Sequence, residues 1–276
     1  MAGTLYVVAT PIGNLEDLTF RGARVLREAP VVAAEDTRRT GNLLRHLGSA
    51  ATLISLHEHN EKTRAAGLLE RLSRGESIAL VSDAGTPAVS DPGAKLVAAA
   101  AAAGFRVEPV PGPSAVMAAL SAAGVEASWF TFAGFPPVRG KDRKHWFSAV
   151  AERAVDGPVV AFEAPHRIKQ TLAELGVLSI DRIIVFRELT KLHESRYEGL
   201  PAQVAAELDP VAGEFTIVIP RLPARQDRQT RPSDADVVNM FGQITDLPAR
   251  AAAREVAKAT GLSANEVYAI VQRGRS

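Results

Sequence analysis

The sequence predicts an α/β protein: two α/β domains followed by a small helical domain. Three observations predict it. Short β-rich runs alternate with helical stretches through the first half, the pattern of βαβ units and a parallel sheet. The breaker cluster Gly134-Phe-Pro-Pro137 and the basic segment Arg139-Gly-Lys-Asp-Arg-Lys-His-Trp146 interrupt that alternation. The polar tract Pro220 to Pro232 then precedes three short helical patterns. The implied domains are 1–135, 136–222 and 232–276.

In chain order, Leu5 to Ala9 reads as a strand, Asp17 to Glu28 as a helix, Val31 to Ala34 as a strand and Thr37 to Leu47 as a helix. Thr52 to Leu56 is a short apolar run. Asn60 to Arg74 has helical spacing at Ala65, Leu68, Leu69 and Leu72. Ile78 to Val81 is a strand, and Gly93 to Ala103 a helix ended by Gly104. Arg106 to Val110 and Ser114 to Ala123 repeat the pair. Beyond the junction, Val159 to Phe162, Ile183 to Phe186 and Phe215 to Ile219 are strands, with helices near His166 to Leu175 and Gln203 to Leu208. The last patterns are Asp234 to Ile244, Pro248 to Thr260 and Ser263 to Arg273. Gly261-Leu-Ser263 turns between the final two, and Ser263 with Glu266 forms a capping box. Arg250, Arg254, Lys258, Arg273 and Arg275 give this end positive surface. The pair reads equally as a nucleic-acid module or a packing cap.

Composition narrows the function. The chain has 276 residues and a net charge of +1, which leaves room only for a local basic patch. An apolar fraction of 46% with 23% charged residues fits a soluble globular protein. The absence of cysteine excludes disulfides, Fe–S clusters, Cys-type zinc sites and thiol nucleophiles. The first residues lack the basic and long apolar regions of a signal peptide, and no apolar run reaches bilayer length. The expectation is a cytoplasmic protein with no membrane contact.

Ligands of an open parallel sheet bind beyond the carboxyl ends of its strands. Those positions carry Thr10-Pro-Ile-Gly-Asn-Leu-Glu-Asp17, Glu35-Asp-Thr-Arg38, His57-Glu-His-Asn60, Ser82-Asp-Ala-Gly-Thr-Pro87 with Ser90-Asp-Pro-Gly93, and Pro111-Gly-Pro-Ser114. One such end is ordinary turn chemistry; five at one edge make a crevice lined with functional groups. In Asp83-Ala-Gly-Thr-Pro87 the small residues let backbone approach a ligand, and Asp83 can accept from a ribose hydroxyl or an ammonium. No Gly-x-Gly-x-x-Gly, P-loop or serine nucleophile elbow is present. His57 and His59 have the spacing to share one face of a strand, but no third ligand has a recognisable spacing, so no metal is expected.

Of these motifs, Thr10–Asp17, Glu35–Arg38, Ser82–Pro87 and Pro111–Ser114, followed by Arg187-Glu-Leu-Thr-Lys191, closely resemble in this order the ribosomal RNA small-subunit methyltransferase I family. That family is a branch of the tetrapyrrole-methylase fold, the class III S-adenosylmethionine enzymes. The resemblance runs from about Thr4 to Pro220, and the tail after Pro232 looks like the helical domain many members carry. It implies 2′-O-methylation of a cytidine ribose in 16S rRNA near the decoding centre. It also implies S-adenosylmethionine in the cleft between two α/β domains, the small ribosomal subunit or its 16S rRNA as partner, and a homodimer. Carried over by position, Asp83, Ala84, Gly85 and Thr86 would hold the cofactor over a loop of Pro11, Ile12 and Gly13. Ser114 and Ala115 would line it, and Phe162 with the stretch Gly213-Glu214-Phe215 would close the adenine pocket.

Methyl transfer to a hydroxyl needs alignment and a proton acceptor. The candidates are Glu35, Asp36, His59 and Glu163, with His57 and Glu188 behind them. Arg38, Arg187 and Lys191 suit phosphates or these acids, and Arg139, Lys141, Arg143 and Lys144 form a basic loop where RNA could meet the cleft. The rival readings are a methyltransferase for a tetrapyrrole such as a precorrin, and a non-catalytic RNA-binding assembly factor.

Overall fold

The computed structural model describes residues 2–178, 180–209, 211–223, 233–244, 247–260 and 262–273. Most of the tract 220–232, the turn residue Gly261 and Arg275 lie outside the described residues. The chain divides into two compact units, 1–222 and 223–276.

The first unit holds two five-stranded sheets. In the first, β1 (Thr4–Val8), β2 (Val31–Ala34), β3 (Thr52–Ser55), β4 (Ile78–Val81) and β5 (Arg106–Val110) lie in the order β3-β2-β4-β1-β5. All four pairings are parallel, so the five carboxyl ends share one edge. Both faces are covered, which is why the strands read as apolar runs. Leu5, Ile78 and Leu80 pack on one face against Leu68 and Leu72 of α3 (Glu61–Ser73) and Leu96 of α4 (Ala94–Ala102). Val8, Val32 and Val81 pack on the other against Val25 and Leu26 of α1 (Phe20–Glu28) and Leu44 of α2 (Thr37–Leu47). The connections thus change sides around neighbouring β4 and β1, which places the topological switch point, the usual ligand crevice, at their carboxyl ends.

The helix expected from Asp17 starts later. Leu15–Asp17 forms a 3-10 turn capped by Asn14, and Thr19 Oγ1 accepts from Gly22 N to open α1. The histidines at 57 and 59 follow β3 in a turn rather than lying on a strand.

The second sheet has the order β6-β7-β10-β8-β9, built from β6 (Thr131–Phe132), β7 (Val159–Glu163), β8 (Ile183–Arg187), β9 (Ser195–Gly199) and β10 (Phe215–Ile219). Only β6 and β7 run parallel; the other pairings are antiparallel. Val116, Ala119 and Leu120 of α5 (Ala115–Ala122) cover one face, against Val160, Ile184 and Val218. The other face is covered by α6 (Gly140–Asp156) and α7 (Ile168–Val177), with α8 (Pro201–Glu207) supplying Val204.

The basic segment taken for a loop is therefore largely the first turns of α6. Arg139, Lys141 and Lys144 are exposed, but Arg143 is 5% exposed, and this corrects its placement among the RNA contacts. Its guanidinium bonds Glu174, the carbonyl of Pro137 and Thr171 Oγ1 at 2.9–3.1 Å, and lies over the Phe147 ring. Arg143→Ala is expected to destabilise the chain by about 2–4 kcal/mol in thermal unfolding. It should leave the salt slope of RNA binding unchanged, whereas neutralising Arg139, Lys141 and Lys144 flattens that slope.

The second unit has its own core. Val237 and Phe241 of α9 (Asp234–Gln243) pack with Val256 of α10 (Ala249–Thr260) and with Val267 and Ile270 of α11 (Ala264–Arg273). The capping box forms as read: Ser263 N donates to Glu266 Oε2 at 2.9 Å, and Glu266 N to Ser263 Oγ at 3.2 Å. Among the described residues no helix is long and apolar enough to cross a membrane.

Candidate active site

The loops after β1 and β4 are tied together at the switch point. Thr10 N donates to Gly85 O at 2.9 Å, and Gly85 N returns to Thr10 O at 3.0 Å. Gly85 holds φ +76°, a conformation that disfavours any side chain, and a Cβ there would touch Ile12 and approach Pro113 O. Thr86 Oγ1 donates to Pro113 O at 3.3 Å, which adds the loop after β5. Ser114 caps α5 through Met117 N, so Ala115 opens the helix. Pro11–Gly13, Asp83–Thr86 and Gly112–Ala115 thus meet in one place.

The second sheet closes on this junction from two sides. Phe162 stacks edge-on against Phe132, ring centres 5.0 Å apart, and beside the exposed Phe135 at 5.5 Å. Gly134, in the same stretch, lies so near Ser90 that a Cβ would sit 3.3 Å from its Oγ. Opposite, Gly13 packs under the 189–191 segment, where a Cβ would fall 2.3 Å from Lys191 Cγ. The turn that carries this segment is strained: Glu188, just before it, and Thr190 both adopt positive φ, +55° and +65°. Lys191 Nζ pairs with Glu188 at 2.8 Å and Glu214 at 3.2 Å, and Arg187 donates to the carbonyl of Ala212. Phe215, the neighbour of Glu214, is buried on the far face of the sheet, so the expectation that it closes a pocket fails.

Two cavities flank the Pro11–Gly13 loop. One, about 250 Å3, lies between that loop and α2, with Asp83 in its wall. The other, about 480 Å3, is lined by Ile12, Asp17, Pro113, Ser114 and Thr190. In the second, Asp17 Oδ2 and Thr190 Oγ1 are buried without a hydrogen-bond partner among the described residues.

The candidate proton acceptors separate clearly. Asp36 caps α2 and is gripped by Arg38 at 2.8 Å; those bonds hold its carboxyl far below the ordinary range, which makes it a poor base. Glu163 is 2% exposed and points into the second lobe, away from the junction. It accepts from Ala164 N, Thr171 Oγ1 and Arg167 at 2.5–2.8 Å, so it is a structural anchor, which corrects its catalytic reading. At Glu188, burial is outweighed by the bonds from Lys191 and Glu214 N, and the pKa falls. His57 Nε2 lies 2.9 Å from Asn60 Nδ2, and the rings of His57 and His59 stand 6.0 Å apart. Glu35 differs: burial and the neighbouring Asp83 carboxylate raise its pKa.

A residue the sequence reading passed over joins it. Asp91, in the Ser90–Gly93 turn, is pushed up to about 6 by burial and by the charge of Glu35, against a bond from Ser82. Asp83 itself accepts from Asp36 N at 2.9 Å and faces Arg39 at 3.7 Å. Glu35, Asp83 and Asp91 therefore form one coupled acidic group beside the loop junction. The signal was visible as Ser90-Asp-Pro-Gly93 at the same strand end; what sequence could not show is the burial. Among the described residues no three His, Cys, Asp or Glu side chains are grouped to hold a metal ion.

A parallel sheet joined to a mostly antiparallel one, with loops converging at the switch point, defines a methyltransferase class: the family described as Tetrapyrrole (Corrin/Porphyrin) Methylases matches residues 4–205. The fold is shared with diphthine synthase, at TM-score 0.62 and 16% identity over 79% of this chain and 90% of that one. It is shared too with the Thermus thermophilus uroporphyrin-III C-methyl transferase complexed with S-adenyl homocysteine, at 0.56 and 20% over 78% and 97%. Similarity in sequence is greater to ribosomal RNA small subunit methyltransferase I of Neisseria meningitidis serogroup B, 43% identical over 97% of this chain and 92% of the relative. The Pseudomonas aeruginosa protein of that name is 40% identical over 100% and 99%. The chain belongs to the ribosomal RNA small subunit methyltransferase I family, a branch of the tetrapyrrole methylases.

Proposed function

We propose that the chain methylates the ribose 2′-hydroxyl of a cytidine in 16S rRNA near the decoding centre, with S-adenosylmethionine as donor. Family membership supports rRNA over a tetrapyrrole as acceptor. The single observation that carries the transferase reading is the reciprocal Thr10–Gly85 pairing, which joins the loops after β1 and β4 into a backbone-lined junction at the switch point.

The residues present fit the cofactor. Gly85 keeps the junction open to backbone approach, and the unpaired Asp17 Oδ2 and Thr190 Oγ1 offer acceptors suited to an ammonium or ribose hydroxyl. In this reading Pro11, Ile12, Gly13, Asp83, Ala84, Gly85, Thr86, Ser114 and Ala115 hold it from below, and Phe162 and Glu214 from the second sheet. When bound, the donor supplies a methyl group already activated on a sulfonium. The protein's work is then to align the acceptor, exclude water and take a proton. The Glu35–Asp83–Asp91 group would take the proton that the acceptor hydroxyl gives up. Arg38, Arg139, Lys141 and Lys144 are the exposed cations for the RNA backbone, while Arg187 and Lys191 order the 187–191 segment. The chain works as a cytoplasmic homodimer on the small subunit or its rRNA.

Mass mapping of methylated nucleotides in 16S rRNA tests this. A strain lacking the protein is expected to lose one 2′-O-methylcytidine, restored by the purified chain with donor. An unchanged rRNA map overturns the proposal.

A further inference from the structure

The smaller cavity, between the Thr10–Leu15 stretch and α2, adjoins the proposed donor site and shares Pro11, Gly13 and Asp83 with it. Its other wall is one face of α2, where Arg39, Asn42 and His46 project at helical spacing. All three are exposed, and His46 makes no hydrogen bond among the described residues. Arg39 is held only loosely, 3.7 Å from Asp83. Leu15 and Leu43 supply apolar surface. Within its own span, Thr37–Leu47, α2 carries Arg38, Arg39, Arg45 and His46 and no acid. A cationic helix edge suits a polyanion, an amide and an imidazole suit a base edge, and apolar walls suit a base face. A volume of about 250 Å3 has room for one base and its sugar.

We propose that this cavity seats the nucleotide that receives the methyl group, with its base along Leu15 and Leu43. Asn42 and His46 reach the base edge, and Arg39 takes a flanking phosphate. The inference rests on the rRNA methylation reading and names the acceptor subsite of that site.

The test uses the full chain, labelled S-adenosylmethionine and small ribosomal subunits lacking the modification. Asn42→Ala, His46→Ala and Arg39→Ala are compared with the parent for kcat/KM toward subunits. Donor affinity is measured by calorimetry without RNA. Each variant is expected to lose about tenfold in kcat/KM, with donor affinity unchanged in Asn42→Ala and His46→Ala. Arg39→Ala is also expected to reduce the salt slope of subunit binding by about one. These sites are exposed on a helix, where alanine is well tolerated, so loss of fold does not confuse the result. Values within about twofold of the parent, with the parent active on subunits, overturn the subsite alone. A parent that binds donor but methylates no subunit, or that methylates a porphyrinoid through His46, overturns the subsite and the reading beneath it.

Discussion

Replacing Asp91 by Asn is expected to slow methyl transfer about a hundredfold or more and to move the acid limb of its pH profile. In the parent that limb should fall near pH 6, because burial and the Glu35 charge hold the Asp91 proton up to about there. A base works only when deprotonated, so activity is lost as pH drops through 6 and is flat above it. The same substitution is expected to raise stability. In the unfolded chain this proton has left at the ordinary 3.8, whereas the folded chain keeps it to about 6. The folded state binds more protons across that window, so stability falls as pH rises from 4 to 6 and stays reduced above. Asn removes the buried charge, and at pH 8 it should add about 1 kcal/mol, a value reduced for partial solvent screening. Slower transfer with greater thermal stability marks a residue kept charged for chemistry. Full activity with an unmoved limb near pH 6 would remove Asp91 as the proton acceptor.

The first sheet was legible because its strands are buried on both faces, and a run such as Ile78–Val81 has no other reading at that length. Its parallel order brought the strand-end motifs to one edge, so their convergence followed from topology. The second sheet was less legible. Strand β9, Ser-Arg-Tyr-Glu-Gly, lies at a sheet edge with Tyr197 its one residue packed on the core, and β6 is two residues long. The start of α6 carries its charges outward except for Arg143, and nothing in the spacing reveals that this one arginine turns inward to Thr171 and Glu174. The site divides along the same line. Backbone features such as the Asp83-Ala-Gly-Thr turn follow from small residues at a strand end. The ranking of the acids does not, because it depends on burial and on neighbours distant in sequence, as Asp91 and Glu35 are.

Glu61→Ala is expected to destabilise the first unit more than any surface change, by about 3 kcal/mol. Glu61 begins α3 yet is 3% exposed. Its Oε1 accepts from the backbone N–H groups of Gly93, Lys95 and Leu96 at 3.1, 2.9 and 3.1 Å. These are the unsatisfied donors at the start of α4, whose own cap, Gly93, has no side chain. The carboxylate therefore caps a neighbouring helix from a distance of thirty-odd residues and fixes the turn that carries Asp91. Gly93 cannot take over: at φ +118° a Cβ would fall 2.8 Å from Leu80. Glu61→Ala leaves three amides without an acceptor, and for a unit this size the melting temperature should drop by about 6–12 °C. Glu61→Gln keeps an oxygen acceptor and loses only the charge, so it should recover more than half of that loss. The Ala variant, assayed below its melting point, should also show a lower acid limb, because a loosened Ser90–Gly93 turn lets water reach Asp91. Equal stability of the Ala and Gln variants would show that the oxygen contributes nothing beyond its charge.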